Sequence, residues 1–235
     1  MTIPPSRAFP WILTLLAALA LAALVLLGLW QVQRLAWKQD LITRAEAAAA
    51  LPPAPLAEVL ASPEPEFRRA IVVCPGLDRA PWVELRTIQD GEAGVRLISA
   101  CQPAGGARTI LVDRGFVSQT ISSRPPVGTT TMPIALRVVV RNTPAPNTMA
   151  PPADDRQFFT RDNDAMARVL GVDGPVDPRT FYAETSTNPD WRALRPAAPP
   201  AAFSNSHLGY AITWFGLAAA LAGFYGSMLW RRSRP

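Results

Sequence analysis

The chain has 235 residues, 49% of them hydrophobic and 17% charged, with a formal net charge of +5. Three of the positive charges, Arg231, Arg232 and Arg234, follow the last apolar run; the others are scattered without a basic stripe or an aromatic platform, which argues against nucleic acid as a partner. A single histidine excludes multi-histidine metal centres, and no GxGxxG, P-loop or HExxH is present to support nucleotide-dependent or zincin chemistry.

In chain order, residues 1–10 carry one cation, Arg7, ahead of an uncharged run from Trp11 to Trp30. About twenty apolar residues is the length a helix needs to cross a bilayer. A cleaved signal peptide is the rival reading, with Ala18 and Ala20 as small residues near a cleavage site, but the run exceeds the usual h-region. The stretch "WQVQRLAWKQDLITRAEAAAA" lacks Gly and Pro, so the helix is expected to continue through 31–50 until "LPPAPL" ends it.

Short β-rich runs follow: "FRRAIVV", "PWVELRTI", "GVRLISAC", "RTILVDRGFVS" and "MPIALRVVV", separated by turn residues such as "QDGEAG" and "PAGGA". They predict an antiparallel sheet or partly closed barrel. "FTRDNDAMARVLGV" predicts a short helix capped by Asp162 or Asn163 and ended near Gly171. "DPRTFYAETS" reads as a last strand, and "NPDWRALRPAAPPAAF" as an extended return to the membrane. A second uncharged helix spans 207–230, and 231–235 form a basic tail.

The expected fold is therefore a membrane protein whose two transmembrane α-helices flank an exterior, mainly antiparallel β domain of the α+β class, residues 31–206. The positive-inside rule puts both termini in the cytoplasm and this domain in the periplasm of a bacterial plasma membrane. The design looks bacterial because the segment before the first span lacks an Arg-rich amphipathic presequence.

Chemistry-bearing residues are few. Cys74 and Cys101 both lie in the exterior segment, where they read as a disulfide between neighbouring strands, as inert buried thiols, or as a copper-carrying pair. In "VDRGFVS", Asp113, Arg114 and Gly115 suggest a glycine at positive φ beside a locally paired Asp–Arg, or alternatively a partner-docking strand end. Asp154, Asp155, Asp162 and Asp164 lack the ligand spacing of a calcium loop and read as a solvated loop. With no acid–base pair or nucleophile beside a base, no enzyme is expected.

At 100° per residue His207, Tyr210, Trp214, Leu221 and Tyr225 share one stripe of the second helix, and Gly209, Gly216 and Gly223 lie opposite. The glycines are expected to admit the first helix, leaving the aromatic face for lipid, a partner or a flat apolar ligand. His207 is then either an interfacial side chain or an axial ligand of haem iron. Arg34 and Lys38, four apart at the same boundary of the first helix, either snorkel or meet anionic propionates or acidic residues of a partner.

Three stretches carry a family likeness: "GLWQVQRLAWKQDLI", "ILVDRGFVS" and "NSHLGYAITWFGLA". In order and in two-span topology the chain resembles the surfeit-locus-1 family of cytochrome c oxidase assembly proteins. The resemblance implies a factor acting when haem a reaches oxidase subunit I, in contact with the haem a synthesis machinery, with His207 as the iron ligand. It carries over Trp30, Gln31 and Arg34 from the first stretch and Arg114 and Gly115 from the second; Tyr210 and Trp214 complete the expected haem-binding set. Phe116 stands where the family pattern usually shows tryptophan, Ser118 where it often shows proline, and "GVRLISAC" replaces a Gly-Tyr and Thr-Pro-Leu pattern. A non-haem scaffold or chaperone that holds oxidase subunits is the alternative function.

Overall fold

The computed structural model describes residues 9–106, 108–196 and 206–234. Residues 1–8 of the expected cytoplasmic N-terminus and 197–203 of the expected Pro-rich return lie outside the described residues. The chain forms two compact units: residues 1–43 with 202–235, and residues 44–201.

The first unit is a pair of helices long and apolar enough to cross a bilayer. Helix α1 is Trp11–Ala50 and α4 is His207–Ser233. The less exposed positions of α1 fall at Thr14, Ala17, Leu21, Leu24, Gly28, Gln31 and Leu35, and those of α4 at His207, Ala211, Trp214, Ala218, Leu221, Tyr225 and Met228. Both series alternate steps of three and four, the heptad spacing that keeps one seam of each helix on its neighbour. The helices run antiparallel: Thr14 hydrogen-bonds Tyr225, and Gln31 bonds His207.

This seam corrects the expected one. A Cβ added at Gly209, Gly216 or Gly223 would meet nothing within 4 Å, so the glycine face is not the one on α1. The stripe expected to stay free supplies the contact instead, with Ala211 and Ala218 as its small residues at 3% and 6% exposure. The reason is polar satisfaction: in an apolar medium His207 and Tyr225 gain by facing Gln31 and Thr14, whereas glycines bring nothing to pair. The close approach is made by a different glycine, Gly28, whose added Cβ would sit 2.6 Å from the Phe215 ring.

The second unit is an eight-stranded sheet. Its strands are β1 (Ala54–Pro55), β2 (Arg69–Pro75), β3 (Val83–Gln89), β4 (Glu92–Cys101), β5 (Thr109–Ser118), β6 (Pro133–Arg141), β7 (Gln157–Phe158) and β8 (Val176–Ala183). Their order is β1-β2-β6-β8-β5-β4-β3-β7. Two short helices, α2 (Leu56–Ala61) and α3 (Asn163–Val169), accompany it. Asp90 and Gly91, at φ 52° and 82°, make the tight turn that joins β3 to β4.

The sheet is mixed rather than mainly antiparallel. Strand β8 runs parallel to β5 and antiparallel to β6, and the two-residue strands β1 and β7 pair parallel to β2 and β3. Only a tight turn forces consecutive strands to lie side by side. The β5–β6 connection, residues 119–132 with its "RPPVG", is too long for that, so a slot opens between them and the last strand fills it. Among the described residues no pair closes the order between β1 and β7, but the sheet curls: β2 and β4 are not neighbours in it, contrary to the expected bridge between neighbouring strands, yet their ends meet at Cys74 and Cys101.

The main core packs Val72, Cys74, Leu136, Val138, Val140 and Phe181 with Leu56 and Val59 of α2. Cys74 at the end of β2 and Cys101 at the end of β4 are joined by a disulfide, with Cα atoms 5.6 Å apart. Neither is free for copper. Helix α3 is capped as its sequence suggests: Asp162 Oδ1 accepts from the Ala165 amide at 2.9 Å, and Gly171 follows at φ 70°.

Candidate functional site

The helix pair presents its chemistry at one end of the seam. His207 is the first residue of α4, and its Nδ1 lies 2.7 Å from Oε1 of Gln31 on α1. Gln31 is 8% exposed, held in the seam between Gly28 and Leu35. An amide oxygen has only lone pairs to offer, so Nδ1 is the donor and carries the ring proton. In the neutral ring Nε2 then keeps its lone pair, the state a metal requires of imidazole.

Trp30, next to Gln31, meets the imidazole edge-on, with ring centroids 6.5 Å apart and planes at 85°. Trp30 and Tyr210 are about half exposed, at 53% and 55%, and so offer flat apolar surface beside the histidine. Trp214, expected on the free face, is half-buried in the seam. Arg34 is exposed and stacks its guanidinium over Trp37 of its own helix at 4.1 Å from the ring centroid. His207, Gln31 and Trp30 are therefore brought together, Tyr210 and Trp214 flank the seam, and Arg34 stands on the outer surface of α1.

Chemically, this arrangement offers one nitrogen ligand with a fixed tautomer, a flat aromatic surface and a cation within a few helical positions. Among the described residues no group of three or more His, Cys, Asp or Glu is placed to hold a metal ion. A group that brings its own equatorial ligands and needs only axial donors fits this donor set; a bare metal ion does not.

The second charged constellation lies inside the sheet unit. Asp113 and Arg114 are both fully buried, which removes the partner-docking reading of "VDRGFVS". They do not pair with each other as the sequence reading expected: Arg114 is the extra residue of a β-bulge in β5, between Asp113 opposite Ile98 and Gly115 opposite Leu97, and the two side chains find separate partners. Asp113 Oδ2 instead accepts from Arg96 at 2.8 Å and from Arg161 at 2.6 Å, and both guanidiniums stand 5.2 Å from the Tyr182 ring centroid.

Arg114 donates through Nε to Thr187 Oγ1 at 3.0 Å, through Nη1 to Ser99 Oγ and through Nη2 to the Asp78 carbonyl. Burial lowers its pKa to about 10, against the opposing pull of the Asp78 charge. Gly115, at φ 131°, would drive a Cβ to within 2.2 Å of the Arg195 carbonyl oxygen. That approach lets Phe116 and Arg195 exchange backbone hydrogen bonds of 2.8 and 2.9 Å, holding the segment after β8 on the sheet. The sequence reading missed Arg96, Arg161 and Thr187. The signal available was a charge inside each of two apolar runs, Arg96 in "GVRLISAC" and Asp113 in "ILVDRGFVS".

Comparison with known proteins places this geometry. Residues 18–219 match the profile of the SURF1 family. The chain belongs to the SURF1 family. It is similar to Surfeit locus protein 1 of Mus musculus, 26% identical in an alignment 244 positions long, gaps included, that covers 95% of this chain and 76% of the relative. It is 29% identical to the Homo sapiens protein of the same name, over 89% of this chain and 74% of the relative. A SURF1-like protein of Drosophila melanogaster is 28% identical over 94% of this chain and 76% of its own length. The matched region contains all three stretches that carry the likeness, with Gln31 and His207 among them.

Proposed function

We propose that this SURF1-family chain is an assembly factor for cytochrome c oxidase that sits in a bacterial plasma membrane and holds haem a through His207 on the way to subunit I. The observation that carries the reading is the Gln31–His207 bond at 2.7 Å, which leaves Nε2 of the only histidine with a free lone pair beside exposed aromatic surface. Haem supplies an iron with an open axial position and a flat apolar macrocycle. His207 would hold the iron, and Trp30 and Tyr210 would cover the macrocycle. Arg34, on the exterior side of Trp30, is the cation suited to a propionate.

The residues do no acid–base or nucleophilic work in this reading. The chain binds and releases, so it is a carrier rather than an enzyme, and a single histidine cannot build a bis-histidine site that would retain haem permanently. Helices α1 and α4 supply two spans, and the arginines after α4 favour cytoplasmic termini with residues 44–201 in the periplasm. Subunit I and the haem a synthesis machinery are the partners such a carrier needs.

The open glycine face of α4 favours a second reading, a non-haem scaffold that offers Gly209, Gly216 and Gly223 to a helix of an oxidase subunit. Cofactor content separates the two. The detergent-purified chain, co-produced with haem a synthesis, is expected to carry haem a in near-stoichiometric amount by optical spectrum and pyridine-haem analysis, and His207→Ala to lose it without unfolding. A colourless wild type from membranes that contain haem a would favour the scaffold.

A further inference from the structure

We infer that Gln31 is the positioning residue of His207: it fixes the imidazole as the Nδ1–H tautomer and, being an amide rather than a carboxylate, tunes the ligand for reversible attachment. The first half stands on the apoprotein alone; the second rests on His207 as the haem ligand.

The argument starts with confinement. Gln31 is 8% exposed on the seam, one turn from Gly28, whose missing side chain leaves room for Phe215. Its Oε1 would be an unpaired buried acceptor if the imidazole turned away, and such a group costs about 1–3 kcal/mol. The Trp30 ring stands edge-on to the imidazole, with ring centroids 6.5 Å apart. Both neighbours belong to consecutive positions of α1, so the same helix phase that closes the seam orients the ligand.

The chemistry of the acceptor decides the rest. Where a ligating histidine donates to a carboxylate, the ring becomes a stronger base and the metal is held harder. A neutral amide orients the ring and fixes its tautomer with much less transfer of charge. That combination suits a ligand that must let its cargo go.

Because His207 is the only histidine in the chain, ring-15N histidine labelling of the full-length protein in detergent yields one pair of imidazole nitrogens without assignment. At about pH 8.5, where histidine rings are ordinarily neutral, the wild type is expected to show protonated Nδ1 and unprotonated Nε2. Gln31→Leu, compatible with an apolar seam, is expected to shift the population toward the other tautomer. An Nε2–H ring in the wild type, or an unchanged tautomer in Gln31→Leu, overturns the positioning role.

For ligand strength, the same proteins are titrated with haem a. Gln31→Leu is expected to bind about tenfold or more weakly. Gln31→Glu is expected to bind more tightly and to lower the reduction potential of the bound haem. Equal affinities and potentials in all three overturn the tuning, and a wild type that takes up no haem a overturns the carrier reading while the tautomer result stands.

Discussion

The helix pair and the sheet unit dispose of their polar groups in opposite ways. In the pair, two polar side-chain contacts cross the seam: Thr14 with Tyr225 and Gln31 with His207. In the sheet, one aspartate binds two arginines and a third arginine is buried at 0% exposure among neutral acceptors. An interaction with one partner can be remade around a ligand, whereas a buried charge network admits no rearrangement without an uncompensated ion. Under the proposed function, reversible chemistry therefore falls to the end of the helix pair, and the "DRG" triplet serves the integrity of the domain.

Removing Asp113 tests the contrast most severely. Asp113→Ala leaves Arg96 and Arg161 buried without their shared acceptor, a loss of about 3–5 kcal/mol by the precedent of broken buried ion pairs. Denaturant unfolding followed by near-UV circular dichroism is expected to show that loss, whereas His207→Ala changes haem content with little effect on the same midpoint. If Asp113→Ala cost less than about 1 kcal/mol, the network would not be the structural element described here.

These two regions also differ in how much their sequence disclosed. The helices were legible from length and charge alone, and His207 stood out because nothing else in the chain shares its chemistry. Which face of α4 meets α1 was not legible, because a glycine heptad and an Ala211/Ala218 heptad predict equally close packing. Only the partners on α1, Gln31 and Thr14, break the tie. In the sheet, strand existence followed from β-branched runs between turns, but order did not, since the place of β8 depends on a slot left by a long connection between two other strands. Arg96, in β4, and Arg161, in the connection before α3, were not legible as buried groups because charges in strands and loops usually face water, and their burial depends on an aspartate 17 and 48 residues away.

A gentler test lies in the two kinds of glycine. At Gly28 an added side chain would collide with Phe215, whereas at Gly216 it would meet nothing within 4 Å. Gly28→Val is expected to push the helices apart, an overpacking cost of about 1–3 kcal/mol, and to lengthen the Gln31–His207 bond enough to weaken haem retention. Gly216→Val is expected to leave haem retention at the wild-type level. Loss of haem in Gly216→Val, with Gly28→Val unaffected, would reinstate the glycine face as the seam.

The smallest effect expected is on the pH dependence of the sheet unit, and its sign distinguishes an exposed acid from a buried base. Glu92 has its pKa held below the ordinary 4.5, first by a hydrogen bond from Ser118 and then by Arg195, whose Nη2 stands 2.6 Å from Oε2. A lowered folded-state value means that its stabilisation is present above 4.5 and is lost as pH falls below that value. Arg114 works at the other extreme: burial makes the folded chain release that proton near 10, whereas the unfolded chain holds it to higher pH, so stability from this group rises as pH climbs above 10. Glu92→Gln is therefore expected to flatten slightly the acid limb of a stability-versus-pH curve and to leave the alkaline limb alone. A change on the alkaline limb would mean that Glu92 is coupled to the buried network rather than to the exposed Arg195 that closes the segment after β8 onto the sheet.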